Sequence, residues 1–191
     1  MFMFAKGRTE LQFIIDFRAE VLKHTIREVI FLIEGLYEKA YNELVQIAKD
    51  SADGDKEVED NILQSLETSY GYDNKDYIIE LIHKAIIVMV DSYCESILKS
   101  INGKTIKTRS DGKTEIEKLL TMLLLTHNCS AEELINKHWP NFKEFHKIRN
   151  SIVHEDKVLN TSVVNLDTEY IVQNIENARM LLRALDAIVS K

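Results

Sequence analysis

Arg149, Asn150 and His154 are residues of the types, and at the spacing, that could handle a phosphate. Arginine presents paired N–H donors to an oxyanion. Histidine takes up or releases a proton near neutral pH. On a helix each residue turns by about 100°, so Asn150 and His154 are i, i+4 neighbours, as are His146 and Asn150. Arg149 flanks them. Phe145, Ile148 and Ile152 fall on the other side. The pattern predicts one short helix with a buried apolar stripe beside a face of His146, Arg149, Asn150 and His154. Asp91 interrupts an apolar stretch and is expected to be a buried partner for Arg149. His146 is expected to be a surface or structural residue. A plainer account also fits: Arg149 pairs with Asp91 or a nearby Glu, and His154 complements a helix C-terminus.

These residues need helices to position them. A single proline, Pro140, and six glycines in 191 residues argue for long helices. Apolar residues recur at three- and four-residue steps over 9–49, predicting a long amphipathic helix that kinks or protrudes near Gly35. Residues 50–55 break it. A shorter helix is expected over 56–70, ended by Gly71. Asp73 or Asn74 then caps a helix to about 101, whose interior over 81–94 is the most apolar stretch of the chain. A loop at 102–112 carries Lys104, Lys107 and Arg109, and a helix follows over 114–126. Ser130 and Glu133 form a capping-box pattern opening a short helix to 138. Pro140 starts the motif helix, which runs to His154. After a polar loop at 155–166, Asp167 caps the last helix, which has the most regular apolar stripe. The expected fold class is all-α: a bundle of four to five main helices, with a long N-terminal helix and a short helical insert. The chain reads as one domain over 1–191, with 1–71 as a helical extension and 72–191 as the core.

Charge narrows the function. The net charge is -7, which disfavours indiscriminate nucleic-acid binding. Yet residues 99–149 hold ten Lys/Arg against six Asp/Glu. A basic middle in an acidic chain is what a local phosphate-binding surface looks like, with Lys104, Lys107, Arg109 and Lys147 as candidate RNA contacts. Solvated faces that differ by chance give the same count. Cys94 and Cys129 make neither a disulfide framework nor a metal spacing. The histidines show no ligand pattern, so no metal and no cofactor are expected. The N-terminus lacks a signal-peptide run and no apolar stretch is long enough to span a bilayer. A cytoplasmic protein without membrane association is expected.

Arg149-Asn150-Ser151-Ile152-Val153-His154 resembles the Arg-x4–6-His motif of HEPN domains, including the Asn that often follows the Arg. The stretch Val88-Met89-Val90-Asp91-Ser92-Tyr93 resembles the apolar-acid-x-Tyr signature of the RiboL-PSP-like and MAE-type branches, with Asp91 where Glu is more usual. The resemblance covers roughly 73–191. It implies a metal-independent endoribonuclease, of a toxin or defence system, that leaves a 2′,3′-cyclic phosphate and a 5′-hydroxyl. Arg149 and His154 would be catalytic, and Asn150 would orient the histidine or donate to a phosphate oxygen. It also implies a homodimer in which two motifs share one cleft. An antitoxin or defence-system protein would be a further partner. Some HEPN toxins carry a Tyr two residues after the His that is modified by the antitoxin. Asp156 stands at that position, so this mode of control is not expected. The alternative is a non-catalytic HEPN-like module that binds RNA, an antitoxin or another protein.

Overall fold

The computed structural model describes residues 9–71, 74–102, 114–154 and 166–190, and among these every regular element is a helix. In chain order they are α1 (Glu10–Ala52), α2 (Lys56–Ser69), α3 (Lys75–Asn102), α4 (Glu115–Leu124), α5 (Ala131–His138), α6 (Phe142–His154) and α7 (Thr168–Val189), with a 3₁₀ turn at Leu125–His127 between α4 and α5. The fold is all-α, as the periodicity predicts. The 3₁₀ turn extends the expected 114–126 segment, and Asn128 at φ 50° ends it.

The helix starts follow from side chains that satisfy orphan N–H groups. Asp55 accepts from the amides of Glu57 and Val58, and Asp167 accepts from Tyr170. Thr114 and Glu117 form a full capping box. Ser130 accepts from Glu133. α1 is one continuous helix through Gly35, the position where a kink or protrusion is expected. One glycine costs a 43-residue helix too little to interrupt it.

The chain divides into two compact units, one formed by Met1–His24 with His83–Lys191 and the other by Thr25–Ile82. The expected boundary at residue 71 differs from this division. The first turns of α1 belong with the C-terminal helices because Ile15, Ala19 and Leu22 are buried there and the Tyr93 hydroxyl donates to the Ile15 carbonyl at 2.9 Å.

In the larger unit the core comes from one stripe on each helix. Ile87, Val90, Cys94 and Leu98 of α3, Ile116, Leu119, Leu120 and Leu124 of α4, and Ile171, Ile175, Leu181, Leu182 and Leu185 of α7 are almost fully buried. Each such side chain contributes about 1.5–3 kcal/mol on burial. Burial also pushes the Cys94 thiol well above its usual range, as suits a core residue. Polar groups tie α1 to α7. Asp186, 2% exposed, accepts from Thr9, Gln12 and Ser190. Lys23 bonds Glu176 at 3.3 Å, and Arg179 lies 3.6 Å from Asp16.

The smaller unit is built on α1 from Thr25 onward, α2 and the start of α3. Ile26, Ile30, Leu44, Ala48 and Ala52 of α1 are buried, whereas α2 buries no residue fully. Among the described residues no helix is long and apolar enough to cross a membrane.

Candidate active site

The site is held by α3 and α6, with α5 and α7 behind them. It begins with a buried charge. Asp91 sits in the middle of α3 at 2% exposure. An isolated carboxylate at that depth is costly, so it must be paired and hydrogen-bonded. Two side chains of α6 meet it. His146 Nδ1 lies 3.0 Å from Oδ1, and Arg149 Nε lies 3.0 Å from Oδ2. The Arg149 Nε–H points off the line to its oxygen, so that contact is an ion pair rather than a straight hydrogen bond. The carboxylate thus holds a histidine and an arginine one helical turn apart.

His146 lies on the inner side of this arrangement. It is 7% exposed, and its ring stacks on Phe142 at 5.6 Å and 21°. The expectation of one shared face for His146, Arg149, Asn150 and His154 is therefore corrected. The helical turn of about 100° per residue places His146 about 80° from His154, and Arg149 about 140° from it. His146 takes the structural of its two expected roles. The signal was in the sequence: a buried acid on an apolar helix needs more than one donor.

Asn150 bridges the two sides of α6. Arg149 Nη1 donates to Asn150 Oδ1 at 2.9 Å. Asn150 is half-buried, and His154 is exposed at the last turn on the same face as Asn150. Among the described residues Arg149 Nη2 and both His154 ring nitrogens have no hydrogen-bond partner. The guanidinium is anchored through two nitrogens, and one remains for an oxyanion. The imidazole stands at a solvent-facing helix end.

Aromatic packing fixes the height and rotation of α6. Trp139, fully buried at the corner between α5 and α6, meets Phe142 edge-on at 5.0 Å and Phe145 at 5.0 Å. Its indole N–H donates to Asn174 Oδ1 of α7 at 2.9 Å, and Asn174 Nδ2 donates to the Tyr170 carbonyl. This Trp139–Asn174 bond was not foreseen. Asn174 sits on the buried stripe of α7 at 3% exposure, and a buried amide there demands a partner.

Lys147 is exposed on α6. Lys104, Lys107 and Arg109 lie outside the described residues, as does Asp156. Among the described residues no group of three or more His, Cys, Asp and Glu side chains could hold a metal ion. No family model matches the chain, and comparison with curated proteins and with solved structures returned no match.

Proposed function

We propose that the protein is a metal-independent endoribonuclease of the HEPN type that cuts RNA to 2′,3′-cyclic phosphate and 5′-hydroxyl ends. The observation that carries this reading is the anchored guanidinium. Asp91 and Asn150 hold Arg149 by Nε and Nη1, with Nη2 unengaged among the described residues, while His154 stands exposed one turn beyond Asn150. In the reaction the 2′-hydroxyl attacks the adjacent phosphorus and the P–O5′ bond breaks. A proton leaves the 2′-oxygen, and one must reach the 5′-oxygen. His154 serves one of these transfers. The phosphorane-like transition state gathers negative charge, and Arg149 stabilises it.

Both proton transfers need a group, and one protomer offers one exposed imidazole in this motif. A homodimer with two motifs in a shared cleft supplies the second. Such a protein fits a toxin or defence effector acting in the cytoplasm under the control of a partner protein.

A second reading is favoured by the same Asp91 contacts. If pairing with Asp91 is the whole role of Arg149, the protein is a helical HEPN-like module that binds RNA, an antitoxin or another protein without cutting. Incubating total RNA and tRNA with wild type, Arg149→Ala and His154→Ala, in EDTA, separates the two. Cyclic-phosphate ends made by wild type alone support the nuclease. Equal cutting by all three, or none by wild type, removes it.

A further inference from the structure

We infer that α6 carries a phosphate path leading to His154, lined by Lys143 and Lys147. The inference rests on the reading of α6 as a nuclease helix and deepens it.

The helical turn places Lys143, Lys147, Asn150 and His154 within about 60° of arc. They form one line along α6, with successive rungs about 4–6 Å apart on the axis and about 16 Å from end to end. Lys143, Lys147 and His154 are exposed. Among the described residues neither lysine has an ion-pair or hydrogen-bond partner. Two cations left unneutralised in a chain of net charge -7 are notable in themselves. Glu144, the acid on this helix, makes no ion pair with either lysine among the described residues. The opposite flank of α6 is committed to Asp91 and the aromatic core.

A basic track of this kind follows a nucleic-acid backbone without reading its sequence. Lys143 and Lys147 would then hold the phosphates on one side of the cut.

The test uses the intact protein and an RNA oligonucleotide with every 2′-hydroxyl methylated, which cannot be cut. Its binding is followed by fluorescence anisotropy from 50 to 200 mM salt. The slope of log K against log salt for Lys143→Gln/Lys147→Gln should fall by about 1.4 in magnitude relative to wild type. The salt-induced loss of affinity over that range then shrinks about sevenfold. A charge-matched control in the smaller unit, Lys49→Gln/Lys56→Gln, should keep the wild-type slope. An unchanged slope in the Lys143/Lys147 variant, or an equal fall in the control, overturns the path. Unmodified RNA is tested in parallel. Cutting by wild type with no slope change removes the path and leaves the nuclease. A slope change with no cutting removes the nuclease and leaves α6 as a binding face. Neither binding nor cutting removes both.

Discussion

Asp91 carries two loads at the residue scale, one of stability and one of position. Its carboxylate balances the charge of Arg149 and accepts from His146 inside the fold. Asp91→Asn keeps the volume and removes the charge. Urea unfolding should show a loss of about 2 kcal/mol, the range for a hydrogen bond to a charged group. RNA cleavage should fall further than the loss of folded protein explains, because Arg149 is no longer held. Wild-type cleavage by a folded Asp91→Asn protein would show that the anchor is purely structural. The sequence made Asp91 and Arg149 legible as partners, since a charge in an apolar helix must find its opposite. It left the two roles of His146 open. Periodicity alone places His146 near the motif face, and only the packing of α6 against α3 turns it inward.

Element-scale behaviour rests on caps and on one aromatic corner. The helix starts at Ser130 and Asp167 were legible because each residue type answers a local need of the next turn. The Trp139–Asn174 bond was not, since it joins residues 35 apart. Trp139→Ala should cost about 3–5 kcal/mol by leaving a cavity and an orphaned Asn174. Denaturant titration checks this, and a cost below 1 kcal/mol would remove the corner from the account. Gly35 gives the opposite test. A Cβ there would meet no atom within 4 Å, and the helix continues through it. Gly35→Ala should therefore raise stability by about 0.5–1 kcal/mol. A loss on thermal unfolding would show that Gly35 serves a bend in α1.

The whole molecule responds to pH through two histidines, His83 buried and His138 half-buried. Burial lowers the pKa of His83 below its usual 6.5, against the opposing pull of Asp167, and burial and Lys137 lower that of His138. The unfolded chain then binds these protons first. The stability they contribute is present above about 6.5 and is lost as pH falls through the lowered folded values. Burial raises the pKa of Glu176, but bonds from Arg179 and Lys23 outweigh it and hold the group below 4.5, so its own loss comes at lower pH. Unfolding free energy should decline from pH 7 to 5, and His83→Gln should flatten that decline. A slope unchanged by the substitution would place the proton uptake elsewhere. The all-α class was legible from the scarcity of breakers and the apolar spacing. The division of α1 and α3 between two units was not, because a continuous helix carries no composition signal where its packing partners change.

Catalysis also belongs to this scale, since the proposed cleft needs two motifs. A dimer of Arg149→Ala holds no arginine in that cleft, and a dimer of His154→Ala holds no histidine. The most direct measurement of the central claim is RNA cleavage by wild type and by each variant, in EDTA, with the cut ends identified. The account predicts 2′,3′-cyclic phosphate ends from wild type and none from either variant. Undiminished cutting by His154→Ala or Arg149→Ala, or no cutting by wild type, would contradict it.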